Sequence, residues 1–590
     1  MKLNIFKYIC AALPLVGVTA CMDFDTPSDE FSQDQVTLDP IIYQGNADVL
    51  DFTKDITQEG FAEAEKTLDN HFKVFKSAQY IAGGGKDGKE PEAHAYQYDY
   101  SLTTDNYAGY LTMYAGTMSG DLLYTYQYLP KYCDGPYFKL TGMSDMVNML
   151  HTNDIDSIVE MKAIGLLLYD VMAQEITDLY GSVPYADFKN NKKENPFTFN
   201  KGVDIYASII KNIDDIVACL DNFKNRPDWY QQKVNSILQR YDVVTIPKDV
   251  DTWRRFANSL KLRMAMHLVK LMPNEAKQWA EEAVASGVIE ATNQQIGYNL
   301  ASNGLTGANP LKLIMLWDSR INASFESMLF SLDHPYTRYF FTNNNNPIAN
   351  TTTGDVMPAN TRVVGLRAGL KMEPGQNFYN NPRYAYSMIE DEIVMWMPIY
   401  LMKWSEVDFL RAEGCLRGWN MGGSLEQFYE RGIRNATAED VFAGVDPFYD
   451  DYIEDYLKVE QPVDYTYIDP ADEANNHESM TKIGVKLLGG DTPETKLEKI
   501  ITQKYISLFP NSYEAWNDLR RTGYPKIFPV LNPNISGQGL NDGDLIRRIP
   551  FPGRETSVGL DDINTSGIEA LGGPDNMATR VFWDIEGPNI

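Results

Sequence analysis

The sequence predicts a mainly α fold of tetratricopeptide-like helix hairpins, with a loop-rich half that contains minor strands. Three observations point there. Apolar residues recur at three- and four-residue spacing over long stretches, and helical stretches follow one another across short turns. The segments between them are long and rich in Gly, Asn, Pro and Asp, as functional loops are. No clean period of 34 is visible, so the hairpin architecture rests on the pairs and not on a repeat consensus.

The chain opens on a leader. Lys2 and Lys7 precede an apolar run from Tyr8 to Val18, and Val18-Thr19-Ala20-Cys21 resembles the lipobox of bacterial lipoproteins, whose cysteine is acylated after cleavage. The run is shorter than the roughly 20 apolar residues that span a bilayer. An ordinary cleaved signal with a chance cysteine at its end is the rival reading. Residues 1–20 are therefore expected to be a lipoprotein signal peptide, 21–44 an acidic tether with Pro27 and Pro40, and 45–590 the folded body. Cys21 is the expected lipidation site, and several acyl chains turn marginal membrane binding into stable anchoring. The acidic residues just past it resemble the export tags of surface lipoproteins in Bacteroidetes, which implies the outer face of the outer membrane.

Within the body, Asp204 to Leu220 places Ile205, Tyr206, Ile209, Ile213, Ile216, Val217 and Leu220 on one helical face. Similar stretches run over Ile158–Leu179, Thr252–Leu271, Asn274–Ala285, Trp404–Leu416 and Leu497–Leu508. After Trp404–Leu416 the chain crosses Gly422-Gly423 and restarts at Ser424, where Ser424 and Gln427 form a capping-box pattern. After Leu497–Leu508 it turns at Pro510 and restarts at Ser512. Irregular segments are expected at Ala82–Asp105, Gly287–Pro310, Tyr336–Pro398 and Val441–Asn476.

Composition narrows the chemistry. With 52 Lys and Arg against 81 Asp and Glu, the formal net charge is -29, which repels phosphate backbones and argues against nucleic-acid binding. Cys133, Cys219 and Cys415 are odd in number and far apart, so they form no disulfide framework or zinc spacing. Gly83 to Lys89 has phosphate-loop spacing, but Glu90 stands where Ser or Thr should bind Mg²⁺, and no apolar strand feeds it. The histidines show no i, i+4 metal pair, and no Gly-x-Ser-x-Gly elbow is present. Paired acids arise by chance among so many carboxylates, so a glycoside hydrolase is an alternative without a motif behind it. Asp446, Asp450, Asp451, Glu454 and Asp455 could hold a structural calcium, although the segment lacks EF-hand spacing and a solvated acidic surface is the plainer reading. No other cofactor is expected.

Several motifs in order resemble one family. Asp178-Leu179-Tyr180-Gly181-Ser182-Val183-Pro184-Tyr185, Trp253-Arg254-Arg255-Phe256-Ala257-Asn258-Ser259-Leu260, Trp404 to Glu413 with Arg417-Gly418-Trp419, Tyr429 to Ile433, Ile501 to Tyr505, Glu514 to Gly523, and Arg548-Ile549-Pro550-Phe551-Pro552 are similar to segments of the SusD/RagB nutrient-binding lipoproteins of Bacteroidetes. Each is weak alone; their order behind a lipobox is specific. The aromatic and apolar positions in them, such as Trp253, Phe256, Leu260, Trp516 and Leu519, read as scaffold, and Arg520 and Arg521 as cations closing a helix C-terminus.

The resemblance implies a SusD-like fold and a binding protein that is not an enzyme. It implies a surface lid on a SusC-like TonB-dependent transporter barrel, capturing an oligomeric nutrient, most often a glycan, with a RagB-like peptide binder as the variant. The membrane is reached through the lipid anchor only. No family motif carries ligand residues, so these are sought by chemistry: sugars offer C–H faces to aromatic rings and hydroxyls to polar rims. Mixtures of this kind occur at Tyr96, Tyr98 and Tyr100 with Asn106, at Trp317 with Asp318 and Arg320, at Tyr336 with Asn343–Asn346, and at Trp396, all read as non-helical. Ordinary packing is the competing reading for each.

Replacing Cys21 with Ala is expected to abolish acylation and to move the protein out of the membrane fraction. Fractionation with labelled palmitate checks this; a Cys21→Ala protein that still sediments carrying label refutes the anchor.

Overall fold

The computed structural model describes residues 39–590 apart from 42, 44, 83–90, 114–134, 291–293, 299–308, 318, 371–384, 441–448, 533–536, 542 and 553–558. The expected signal peptide, Cys21, most of the tether and the Gly83–Glu90 segment lie outside the described residues. Among the described residues helix accounts for 54% and strand for 7%, which makes the fold mainly α as expected.

In chain order the helices that build the body are α1 (Gln58–Ala82), α2 (Gly135–Gly142), α3 (Ser144–Leu150), α4 (Val159–Tyr180), α5 (Gly202–Asn222), α6 (Asp228–Tyr241), α7 (Val250–His267) and α8 (Pro273–Ser286). They continue as α9 (Leu311–Trp317), α10 (Ala323–Ser331), α11 (Asp391–Trp396), α12 (Trp404–Leu416), α13 (Leu425–Asp440), α14 (Tyr449–Tyr456), α15 (Pro493–Leu508) and α16 (Ser512–Thr522). They pack in series: α4 on α5, α5 on α7, α7 on its hairpin partner α8 and on α12, then α12 on α13 and α15, and α15 on α16. Each helix thus buries one stripe on its predecessor and another on its successor, the principle of stacked hairpins.

The predicted helices are present with ends shifted by a few residues, and their signals operate. Ser424 Oγ accepts from the Gln427 N–H at 3.1 Å, Asp249 caps α7 through the Thr252 N–H at 2.8 Å, and Gly181 ends α4 at φ 86°. The sequence reading omits α1, α2, α3, α6, α9 and α10, and it places α11 and α14 in segments expected to be irregular. The apolar stripe of α1, with Phe61, Ala64, Leu68, Phe72 and Phe75 buried, is one residue wide and diluted by charge. Ala82–Asp105 is less irregular than expected, since Ala93–Tyr96, Gln97–Ser101 and Thr104–Tyr107 are helical turns.

Strands are short and antiparallel. Among them, β1 (Leu111–Met113) pairs with β4 (Ser319–Ile321), and β3 (Gln295–Tyr298) lies between β2 (Thr245–Ile246) and β5 (Ile399–Met402). Ahead of α1 the chain is already held to the body at its first described residues. The Ile41 N–H donates to Ser208 at 2.8 Å, and buried Lys189 donates to Asp48 at 2.7 Å while lying 4.5 Å from the Tyr43 ring centroid.

All 22 residues of α4 are buried, polar ones included, so each buried charge needs a partner. Glu160 pairs with Arg226 at 3.2 Å, Lys162 with Asp156 at 2.7 Å, and Asp170 accepts from Tyr185 at 2.8 Å and Asn212 at 2.9 Å. Asp178 accepts from Tyr206 at 2.6 Å, Tyr513 at 2.6 Å, the Trp583 indole at 2.7 Å and Gln174. From there a buried ion network crosses the stack. His267 on α7 lies 3.5 Å from Asp178 and 3.2 Å from Glu514, and Arg263 grips Glu406 at 2.6 and 2.8 Å. Lys504 pairs with Glu514 at 3.0 Å and Asp518 at 2.8 Å, and Arg521 joins Asp518 at 2.9 Å to Glu413 at 2.7 Å.

Arg520 and Arg521 stand in the last turn of α16 as expected, and Arg521 is in addition a buried bridge. Arg520 is likewise buried, donating to the Asp178 carbonyl at 3.0 Å with its guanidinium 3.7 Å from the Trp516 ring centroid. The expected scaffold residues Trp253, Phe256, Leu260, Trp516 and Leu519 are core. Arg548 is buried as well and donates to the Tyr180 carbonyl at 3.1 Å, so the last motif of the chain locks onto the Tyr-Gly turn.

Burial alone would lower the His267 pKa, but the carboxylates of Glu514 and Asp178 outweigh it and raise it to about 9. A pKa raised above the unfolded value of about 6.5 stabilises the fold fully below that pH and loses its contribution as pH rises through 9, at about 1.4 kcal/mol per unit. The melting temperature should therefore fall between pH 6.5 and 9.5, roughly 3 kcal/mol of stability being at stake. His267→Gln should lower the melting temperature at neutral pH and flatten the decline; a wild-type profile with no decline there contradicts the assignment.

Candidate functional site

The turns at 93–107 bring aromatic residues to one side of the stack. Ala93–Tyr96 packs on α9, and α9 in turn packs on α11 and β4. Asn309 starts α9 by accepting from the Leu311 N–H at 2.9 Å, and its amide donates to the Met397 carbonyl at 3.0 Å. This couples α9 to the segment leading into β5.

Between these elements lies a cleft of about 490 Å³ of non-atom space, its mouth included, lined by residues such as Tyr96, Tyr100, Asn309, Tyr400, Asn511 and Ser512. Tyr96 and Tyr100 face each other with ring centroids 5.1 Å apart. An inner chamber shares Tyr100, Tyr400 and Asn511 with the cleft and adds Gln174, Glu175, Arg263 and Tyr513, so its floor touches the ion network. Buried Lys139 donates to the Tyr100 hydroxyl at 2.6 Å and to Glu175 at 2.9 Å. Burial works against the Lys139 charge, yet Glu175 and Tyr100 more than compensate and hold it protonated. Burial raises Asp105 to about 7, only partly offset by the hydroxyls of Ser512 and Ser101.

Outside the lining of the cleft, half-buried Trp317 ends α9, and exposed His94, two residues ahead of Tyr96, lies against it with ring centroids 4.9 Å apart at 38°. Leu313 and Leu316 of the same helix are exposed at 46% and 41%, which leaves an apolar ledge beside the two rings.

The structure sorts the residues proposed from sequence. Tyr96 lines the cleft, Trp317 ends the helix packed on Ala93–Tyr96 but is not among the lining residues, and Trp396 ends α11, packed on α9, with its side chain outside the described residues. All three are helical, not in loops. Asp318 lies outside the described residues. Tyr98 is half-buried on Leu102 and Met113. Arg320 is not a rim group: it is buried and donates to the carbonyls of Met315 and Ser319, both at 2.6 Å, closing the C-terminal end of α9. Tyr336 is fully buried, its ring centroid 4.3 Å from that of Phe340, and is core. Asn343 pairs with Asn360 at 3.1 Å and is not among the lining residues.

Sequence reasoning missed Asn309, Tyr400, Asn511, Lys139 and Glu175, and did not give His94 a role. They come from segments up to four hundred positions apart, and the turn at Pro510 was the one local signal near any of them. In the acidic segment, Glu454 pairs with Arg434 at 2.7 Å and Asp455 with Lys458 at 2.9 Å, while Asp446 lies outside the described residues. Among the described residues no group of three or more His, Cys, Asp or Glu side chains is placed to hold a metal ion.

Lys139→Met leaves Glu175 buried and unpaired and should cost about 3–5 kcal/mol. Calorimetry should show most of this recovered in Lys139→Met/Glu175→Gln; a single variant as stable as wild type would refute the pairing.

A family model described as SusD-like, Susd and RagB outer membrane lipoprotein, matches residues 51–584. Among solved structures, a chitin-binding SusD homologue from Flavobacterium johnsoniae aligns at 29% identity with a TM-score of 0.72, covering 88% of this chain and 100% of that one. A SusD homologue from Bacteroides thetaiotaomicron aligns at 26% identity with a TM-score of 0.70, covering 88% and 99%. One from Bacteroides ovatus aligns at 27% with a TM-score of 0.66, covering 88% and 100%. No curated protein matches the chain.

Proposed function

The chain belongs to the SusD-like family of outer membrane lipoproteins, and we propose that it captures an oligosaccharide at the cell surface and delivers it to a SusC-like TonB-dependent transporter. In this reading it is anchored through Cys21 to the outer face of the outer membrane, and no helix among the described residues is long and apolar enough to cross a bilayer. The observation that carries the glycan reading is the Trp317–His94 pair beside the Tyr96–Tyr100 cleft. Two rings 4.9 Å apart, one of them two residues ahead of Tyr96, offer a face to sugar C–H groups, while Asn309, Asn511 and the tyrosine hydroxyls of the cleft offer partners to sugar hydroxyls. That a relative at 29% identity is a chitin-binding protein supports a saccharide over a peptide.

Binding without turnover fits the cleft's chemistry. A glycosidase flanks the scissile bond with two carboxyl groups about 5–10 Å apart. Among the described residues lining the cleft and its inner chamber, Glu175 is the one carboxylate, and Lys139 is bonded to it.

Calorimetric titration of residues 39–590 with neutral oligosaccharides, chitooligosaccharides among them, is expected to show binding, with no new reducing ends on incubation. Trp317→Ala should weaken it by about 1–3 kcal/mol, tenfold or more, with little change in melting temperature because the ring is half-exposed. A large drop in melting temperature returns Trp317 to the scaffold; binding of peptides but no saccharide favours the RagB-like variant, and released reducing ends favour the hydrolase.

A further inference from the structure

The buried helix α16 has a cleft at each end. Its first residue, Ser512, lines the aromatic cleft; its last turn, Leu519 to Thr522, lines another, roughly 15 Å away at 1.5 Å per residue. The second cleft is larger, about 1420 Å³ on the same measure, its mouth included. Six cations line it, Lys270, Arg520, Arg521, Lys526, Arg547 and Arg580, against the carboxylates of Asp544 and Glu586 among its described lining residues. In a chain whose formal charge is -29 this reverses the local sign.

The cations divide by accessibility. Arg520 and Arg521 are buried and committed to the network below. Arg547 and Arg580 are half-buried and share one buried carboxylate, Asp584, at 3.3 and 2.7 Å, and Arg580 also reaches Glu586. Lys526 is exposed and donates to the Gly523 carbonyl at 3.0 Å. Lys270 donates to the carbonyls of Arg521 at 2.9 Å and Ile585 at 3.2 Å, which orient the ammonium without cancelling its charge. A positive field is felt there: burial, then the charges of Arg521, Arg417 and Arg580, lower the Lys270 pKa to about 8 despite Asp584.

We propose that this second cleft binds an oxyanion, the carboxylate or sulfate ester of a small acidic ligand, with Lys526, Arg547 and Arg580 as its recognition groups. Guanidinium forks suit planar carboxylates and sulfates, and a cleft lined by one sign of charge concentrates ligands of the other. Its residues are distinct from those of the aromatic cleft, so the inference stands whether or not that cleft takes sugars.

The test is titration of the protein with galacturonate trimer, with maltotriose as the neutral counterpart and with sodium sulfate, at two ionic strengths. Expected are binding of the acidic trimer that weakens with salt, competition by sulfate, and no competition by maltotriose. Lys526→Glu, at an exposed position, should reduce affinity about tenfold with an unchanged melting temperature, Arg547→Gln should do the same, and Trp317→Ala should leave it intact. Equal binding of the neutral trimer, insensitivity to both charge variants, or loss in Trp317→Ala overturns the proposal. Binding of free sulfate without the trimer also overturns it, since the cleft then holds an inorganic anion only.

Discussion

The buried ion network between α4, α7, α12, α15 and α16 is the constraint on which the arrangement of the stack depends. Five carboxylates, Asp178, Glu406, Glu413, Glu514 and Asp518, meet Arg263, His267, Lys504 and Arg521 in the interior, with Arg417 completing Glu413 at 2.8 Å. Such pairs add little net energy over well-packed apolar residues, because desolvation consumes much of the attraction. What they do is penalise error: sliding one helix by a turn strands a charge without its partner, at about 3–5 kcal/mol each. Apolar stripes alone tolerate such slips, since one leucine replaces another.

The same network explains why both clefts can be rigid. Its upper edge, through Gln174, Arg263 and Tyr513, is the floor of the chamber behind the aromatic cleft. Its lower edge, through Arg520 and Arg521, is the floor of the cationic cleft. Groups that recognise polar ligands lose affinity when they must be ordered on binding, so a floor already fixed by charge pairs lowers that cost.

The scaffold is legible in the sequence wherever one helical face is apolar over several turns, as in α5, and where caps such as Ser424 announce the start. Helices with narrow or interrupted stripes, α1 and α6, escape that test because tertiary contacts supply what periodicity does not. The candidate site is legible only in part. An aromatic residue beside Asn or Arg reads the same whether it faces solvent or core, so Tyr96 reached the cleft and Trp317 stayed half-exposed while Tyr336 and Arg320 went inside. Asn309, Tyr400 and Asn511 assemble from three distant segments, one of them strand β5, and no local pattern marks residues that meet only through the fold. Arg520 and Arg521 carried the opposite lesson, since their place at a helix end concealed that the helix itself is buried.

Lys189 has a mechanical consequence. The ammonium is sealed between Asp48, the Tyr185 hydroxyl at 2.9 Å and the Tyr43 ring, while His151 and Asn46 hydrogen-bond at 2.8 Å on the same strap. Under the proposed anchoring at Cys21, a tug from the amino terminus would meet the Ile41–Ser208 bond and then the contacts of Lys189 with Tyr43 and Asp48. The bonds there tie residues 41–48 to α5, to His151 after α3 and to the turn after α4, so several elements of the body would share the load. None of these residues lines either cleft, so the load would be taken up away from both.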